Sequence, residues 1–599
     1  MNTQVKSLSK LISYVILSGA LVISGFSVAQ SFPGGTAITP TDLTATPAQL
    51  PAPPPEYQLN NPISHEEFAR FAWRQFIYLN SPAKKASAAQ SGISPIVRGS
   101  VDPTENFVTS GNPRFYHAGK SSTDNFSNNI LVWESYAHRS ELFPKNAKAS
   151  GDFPTLLPAY AFTNLTVPSS QARFNNLDEN SQIGQNKIFF PKNGSTPSQN
   201  PADDYEILFE AKVNQTEYDY IKGLNVTPGK ALASFDLPNE TIEIKAAWRV
   251  LSDDLAQSGR YHTAEALYYK GENEEAEAHV ATFGLIGLHI IRKMENYESF
   301  VFSTFEHVDN LKKPNGADTG LYYYTTYNQM SYQGTVSSTP HVIVNTGTNL
   351  VQLPLPQQGD ITAQNGYEFI NGSFTQLTPT SAGPIKVLQP PTITKAVMSV
   401  NQEVKNAMAQ SGQFTNSVWQ YYQLKGVQPL PANEDASVAQ QANPLTQDFF
   451  LANNVIESSQ PGIQLFKGGA PGPIYQTSKN AKCDQLPPVD KDNNAKKTKF
   501  FCFPNPRSGA SAENIQNVPN LVVPGVSHAQ QNSIVMGGCM GCHGQSKYKN
   551  ADGTTSSIFS FLISTKNLES KGGFEADPFD QSGPSLSAAA QKYMATQSK

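Results

Sequence analysis

The chain has 599 residues, of which 16% are charged and 38% hydrophobic, and a formal net charge of −5 at pH 7. A chain of this length exceeds one ordinary core, so two or three domains are expected. The acidic balance argues against bulk nucleic-acid binding, and the 41 Gly and 43 Pro favour a turn-rich, β-rich fold over helical bundles.

The chain opens on MNTQVKSLSKLISYVILSGALVISGFSVAQ. Lys6 and Lys10 form a short positive region, residues 11–26 are apolar and uncharged, and Ser27-Val28-Ala29 offers small residues at the two positions that matter for cleavage after Ala29. This is the pattern of a secretory signal peptide over residues 1–29. Its alternative is an uncleaved anchor, for which the run is short. Losing Lys6 and Lys10 would take the mature chain from −5 to −7. No second long apolar stretch follows, so no membrane span is expected in the mature protein. The expected location is the periplasm or the exterior.

Residues 30–60 are rich in Pro, Thr and Ala and read as a flexible or polyproline-like linker. Order is expected from SHEEFARFAWRQFIYLNSP onward. There Ser64 and Glu67 match a capping box, and Phe68, Phe71, Ala72 and Phe76 recur at helical spacing. The spacing predicts a helix over 65–79. From about 130 to 350 the pattern is period two or short apolar runs: NILVWESY, YEILFEAKV, ETIEIKAAWRVLS, ATFGLIGLHIIRK and ESFVFSTFEHVDN. These read as strands of an antiparallel sheet or sandwich. VMSVNQEVKNAMAQSG reads as a helix, and SVWQYYQLKGV as a strand or short helix. Near residue 450 the composition shifts to Gly, Pro, Lys and Cys, and all four cysteines lie beyond it. The expected division is a β-rich domain over 61–450 and a smaller one over 451–599.

Two strands in the first domain carry polar side chains that could do chemistry. They are joined by a turn at Asn296 and hold His289, Lys293, Glu306, His307 and Asp309. A turn centred between Asn296 and Tyr297 puts His289 on one face with Glu306. A slip of one residue puts it with His307. Either pair suits a metal or acid–base work, although polar residues at hairpin ends more often satisfy hydrogen bonds. Lys245 and Arg249 read first as a sheet-face ion pair and second as an anion site. No hydrolase, P-loop, zincin or dinucleotide fingerprint is present.

GGCMGCHGQ, at 537–545, holds the strongest motif. Two thiols three positions apart, Cys539 and Cys542, can both reach the vinyl groups of one haem, and the next residue, His543, can then offer its imidazole to the iron. A thiol–disulfide redox pair and half of a zinc site completed by Cys483 and Cys502 are the other chemistries the spacing allows. Export favours instead a disulfide between Cys483 and Cys502, which would close a loop of about twenty residues and contribute ~3 kcal/mol. Six lysines between Lys479 and Lys499 make that segment locally basic, either a solvated loop or a landing patch for an acidic partner.

In this stretch the sequence resembles the c-type cytochromes. FARFAWRQFIYLN, IKAAWRVL, GLIGLHIIRK, FSTFEHVDN, SVWQYYQLKGVQ, FFLANNVIES, CMGCHG and FSFL also resemble large secreted proteins labelled only as cytochrome c family. The resemblance implies covalent haem and export, and gives no substrate. The sixth iron ligand is then open. Met594, in a C-terminal segment that reads as a helix, is the first candidate. Met536 and His528 follow, Met540 inside the attachment loop is poorly placed, and an open position is the other outcome. SSIFSFLIS could wall the haem edge.

The expected fold class is therefore α+β: a large β-rich domain followed by a small, mainly helical and loop-rich cytochrome c-like haem domain. The expected function is that of an exported monohaem c-type cytochrome carrying one haem c. It would exchange single electrons with a redox partner protein or a small donor or acceptor. The alternative is a haem-assisted oxidoreductase with a separate active site in the β-rich domain. A third reading is an exported binding or structural protein in which haem is secondary.

Overall fold

The computed structural model describes residues 32–47, 49–56, 63–85, 96–111, 130–142, 175–177, 187–198, 200–224, 235–270, 277–325, 393–429 and 453–456. It also describes short strand segments at 341–345, 350–354, 367–370, 373–376, 383–386, 474–475, 501–502, 547–549 and 555–557, and the single positions 560 and 562. The architecture of these residues is α+β, with antiparallel β-sheet dominant.

One large sheet organises the chain. In chain order its strands are β1 (Ala137–His138), β2 (Asn176–Leu177), β3 (Lys187–Phe190), β4 (Tyr205–Val213), β5 (Ile242–Val250), β6 (Thr263–Lys270), β7 (Glu277–Met294), β8 (Tyr297–His307), β9 (Tyr322–Thr325), β10 (Gly383–Lys386) and β11 (Tyr422–Gln428). The spatial order is β10-β9-β3-β4-β5-β7-β8-β11, with β1 on β4 and with β6, carrying β2, on β7. The pairs are antiparallel except β2 with β6. Strand β7 has 18 residues and is the axis of the sheet. One of its edges carries β5, and the other carries β6 and then β8 end to end.

Alternation divides the side chains between two faces. On one face Ile242, Ile244, Ala246 and Trp248 of β5 join Leu288 and Ile290 of β7 and Val301 and Phe305 of β8. Helices α1 (His65–Leu79) and α3 (Lys395–Ser411) close over this layer. Helix α1 spans the residues expected from its spacing, and its capping box forms in both directions. Its two-sided burial (Phe68, Phe71, Trp73, Phe76) follows from lying between the sheet and the N-terminal segment. Arg70 forks onto Glu403 of α3, at 2.9 Å for the closest pair, and locks the helices together. The opposite face carries a smaller layer of Ile207, Phe209, Ala247, Ile286, Val455 and Ile456. The β-rich unit thus continues through residue 456. Helix α2 (Gln215–Gly223) follows β4 directly and is capped by Asn214.

Two expectations change. The Pro-rich segment, expected as a flexible or polyproline-like linker, is packed against the rest of the chain where it is described. Phe32, Ile38 and Leu43 are buried, and a capping box of Thr39 and Asp42 starts a short helix at Pro40–Thr44. Arg74 donates to the carbonyls of Gly34, Thr36 and Ala37. Arg292, Asn296 and Tyr297 donate to the carbonyls of Pro51, Pro54 and Pro55. Proline lacks an N–H but keeps its acceptor, so an extended Pro run can be held by its carbonyls alone. NILVWESY, expected as a strand, is a turn over 132–136 ahead of the two-residue β1. The Glu134 carboxylate accepts from the Leu131 amide at 2.8 Å, and the Ser135 and Tyr136 amides bond within the turn. Among the described residues no helix is long and apolar enough to cross a membrane.

Candidate functional site

Cys539, Cys542, His543, Met594, Cys483, Met536, Met540 and His528 lie outside the described residues. Cys502 stands in the short strand Phe501–Cys502, paired with Ile474–Tyr475. Of SSIFSFLIS, Ser560 and Leu562 are buried. The candidate groups of the β-rich unit are all described.

The register of β7 and β8 pairs His289 with Thr304 and Gly287 with Glu306, so His289 and Glu306 do share a face. Lys245 is paired with His289 from β5. Glu306 is 2% exposed and fully engaged. Its carboxylate accepts from Asn454 Nδ2 at 2.6 Å and Asn310 Nδ2 at 3.0 Å. Lys425 Nζ of β11 lies 3.4 Å away. The glutamate anchors residues 453–456 to the sheet, assisted by Asn453, which donates to the Phe305 carbonyl at 2.8 Å. Gly287 makes room for that segment, since a Cβ there would meet Val455 Cγ2 at 2.9 Å.

His307 points to the helix side and is held as a neutral ring. Its Nδ1 accepts from the Asp309 amide at 3.1 Å, which leaves the proton on Nε2, and Nε2 donates to the Arg260 carbonyl at 3.0 Å. Tyr261 stacks on the ring at 4.1 Å. Burial disfavours the imidazolium and pushes the pKa down to about 4, against an opposing effect of Asp309. Asp309 itself takes a two-pronged bond from Arg260, at 2.6 and 2.7 Å. Lys293 pairs with Asp236 and the Leu237 carbonyl. Lys245 lies over Phe209 at 5.2 Å, and Arg249 over Phe190 at 3.8 Å. These groups order loops and cover rings.

A third group escaped the sequence reading. Glu210 and Lys212 project from β4 into the helix-side layer, where both are at most 1% exposed. Glu210 Oε1 accepts the indole N–H of Trp248 at 2.8 Å. Lys212 Nζ lies 3.6 Å from Glu210 Oε2 and donates to the Glu134 carbonyl at 2.7 Å. Glu134 Oε1 is 2.9 Å from His262 Nε2. The ring of His262 lies between Trp419, stacked at 5.4 Å, and Trp248 at 6.1 Å. Arg98 closes the cluster with a fork onto Glu141 at 2.9 and 2.8 Å. Burial raises the Glu210 carboxyl to about 7, with Lys212 opposing, and lowers the Lys212 ammonium. The signal in the sequence was the pair Glu210 and Lys212 inside YEILFEAKV, on a strand whose apolar residues occupy both faces.

Glu217 of α2 faces Glu243 of β5, both fully buried, and the Glu217 carboxyl is pushed well above its ordinary range by burial and then by its neighbour. Among the described residues no group of three or more His, Cys, Asp or Glu side chains is arranged to hold a metal ion. Comparison with protein families, with curated proteins and with solved structures finds no match to this chain.

Proposed function

We propose that the chain is an exported monohaem c-type cytochrome that exchanges single electrons with a redox partner. One observation carries the reading: Cys539-Met540-Gly541-Cys542-His543, in a chain that opens on a signal-peptide pattern. The donor set fits the group. Two thiols at this spacing match the two vinyl groups of one haem, and a neutral imidazole suits its iron. Cys539 and Cys542 would hold the haem, His543 would offer its imidazole to the iron, and Met594 is the first candidate for the sixth ligand. When bound, the haem supplies a ferric–ferrous couple for one-electron transfer. The lysines at 479, 482, 491, 496, 497 and 499 offer an acidic partner an electrostatic approach.

The test is haem stain on a denaturing gel, for the wild type and for Cys542→Ser. Stain that survives denaturation in the wild type and is lost in the variant supports the reading. Wild-type protein without stain, or unchanged stain in the variant, removes it.

The second reading, an oxidoreductase with its own site in the β-rich unit, draws support from the Glu210–Trp248–His262–Glu134 cluster. His289, Glu306 and His307 do not support it, because Glu306 and His307 serve packing and His289 lies on the same closed face as Glu306. The cluster is closed to solvent, so it suits the passage of electrons and protons better than the binding of a substrate.

A further inference from the structure

All four tryptophans of the chain, Trp73, Trp133, Trp248 and Trp419, lie in the helix-side layer at no more than 1% exposure. Each indole N–H has an acceptor, and three of the acceptors cannot take a proton near neutrality. Trp73 donates to Asn401 Oδ1 at 3.0 Å, Trp133 to Asn80 Oδ1 at 3.0 Å and Trp419 to Ser110 Oγ at 2.9 Å. Trp248 alone among them donates to a carboxylate, Glu210. That difference matters on oxidation. An indole that loses an electron becomes a strongly acidic radical cation, and a carboxylate already hydrogen-bonded to its N–H can take the proton without any rearrangement.

The rings around Trp248 form a continuous path. His262 is 6.1 Å from Trp248 and 5.4 Å from Trp419, and Trp419 is 5.3 Å from Tyr422. Tyr421, the residue before Tyr422, is partly exposed, and the His307 ring joins the two, at 6.2 Å from Tyr421 and 5.0 Å from Tyr422. Trp133 extends the path inward at 6.1 Å from Trp248. Ring separations of this size allow an electron vacancy to step between oxidisable rings. His262 is held at its Nε2 by Glu134 and serves as a bridge.

We infer that Trp248 is a redox-active side chain, with Glu210 as its proton acceptor, that stores oxidising equivalents entering through the aromatic path from Tyr421. This goes beyond the haem reading and does not depend on it. The step balances as follows. A strong one-electron oxidant of the peroxide-derived class takes one electron from the path and is reduced by one. Trp248 supplies that electron, and its N–H proton passes to Glu210 Oε1. A neutral indolyl radical and a neutral carboxyl result. One electron from a soluble donor, with return of the same proton, restores both. The groups facing Glu210 are Lys212 on its own strand, His138 on β1, Glu134 from the preceding turn and the indole itself. Glu210 is a carboxylate above about pH 7 and a carboxyl below it, so proton acceptance belongs to the alkaline side.

The experiment uses the purified full-length protein with photogenerated tris(bipyridine)ruthenium(III) as oxidant, read by transient absorption and by electron paramagnetic resonance after freezing. The wild type is expected to give a neutral tryptophan radical above about pH 7 and the protonated radical cation below it. Glu210→Gln keeps an acceptor for the indole but no base, and is expected to give the radical cation at every pH. Trp248→Phe is expected to lose the neutral radical. Both variants are checked for retained fold by their urea midpoints. If Trp248→Phe does not fold, Glu210→Gln and the wild-type pH series decide. A wild type that forms no tryptophan radical, an unchanged spectrum in Glu210→Gln, or a neutral radical undiminished in a folded Trp248→Phe overturns the inference. The oxidant acts with or without haem, so repeating the measurement on Cys542→Ser separates this outcome from the haem reading.

Discussion

Gly287→Ala tests how the β-rich unit is tied to the chain that leads towards Cys539, Cys542 and His543. The added Cβ would lie 2.9 Å from Val455 Cγ2 and 3.0 Å from Asn453 Nδ2. Strand β7 cannot retreat, because it is paired at this residue with Ala247 on one side and Glu306 on the other. The strain can then be relieved in two ways. Expelling residues 453–456 would expose Val455 and Ile456, both fully buried, at about 1.5–3 kcal/mol each. It would also strand Glu306 without the Asn454 donor. Shifting the segment by a few tenths of an ångström costs the usual overpacking penalty, about 1–3 kcal/mol. The second route is cheaper, so the expected loss is about 1–3 kcal/mol in urea unfolding. Faster amide exchange across 453–456 should accompany it, with little change in α1. A variant within about 0.5 kcal/mol of wild type, the range of an inert surface substitution, with unchanged exchange at 453–456, would refute the packing of this segment on β7.

Further outcomes follow from buried charges and from the N-terminal segment. Arg98→Met leaves Glu141 buried without its fork and should cost about 3–5 kcal/mol by urea denaturation. A loss below about 1 kcal/mol would mean that the pair is solvated. The neutral ring of His307 has its pKa lowered from 6.5 to about 4. The unfolded chain therefore gains a proton first as pH falls, and stability declines between about 6.5 and 4 by up to about 3 kcal/mol. His307→Gln should flatten that decline in a pH series of urea midpoints. Glu217 has the opposite sign. Its raised carboxyl favours the fold below the ordinary carboxylate range and loses that benefit as pH rises, so Glu217→Gln should gain on the order of 1–3 kcal/mol at neutral pH. A net loss there would show that Glu217 makes a favourable contact as an anion. Leu43→Ala should cost about 2–5 kcal/mol, whereas a free linker would give no change.

The parts of the fold legible in the sequence were those governed by local period. YEILFEAKV forms β4 over the residues quoted, and Ser64 with Glu67 opens α1 as spaced. His289 and Glu306 share a face as expected, although the turn pairs Met294 with Tyr297, one residue earlier than the expected centre, because the register shift between Tyr297 and Val301 keeps the parity of the pairing. What local period could not reveal was which side chain would stop the chain from extending. In NILVWESY, Glu134 turns back onto the Leu131 amide and ends the strand pattern before it starts. The Pro-rich segment failed for a related reason. Its few apolar residues, Phe32, Ile38 and Leu43, meet α1 and α3, and its carbonyls meet Arg292 and Tyr297 about 240 residues later.

The same distinction explains why the buried cluster was missed. Glu210 and Lys212 look like the solvent face of an alternating strand when read alone. Their partners arrive from elsewhere in the chain: Trp248 is 38 residues away from Glu210, and His262 is 128 from Glu134. A strand interior to a sheet and covered on both sides has no solvent face, so a charge at such a position must find a counter-charge or a hydrogen-bond partner. Apolar side chains of the same size would satisfy the packing at lower desolvation cost. Keeping Glu210, Lys212, Glu134, His262, Arg98 and Glu141 together beside Trp248 and Trp419 is therefore poorly accounted for by stability alone. A role in moving protons and electrons gives the cluster a use that packing does not, and the pH at which Glu210 changes charge is where that use should switch.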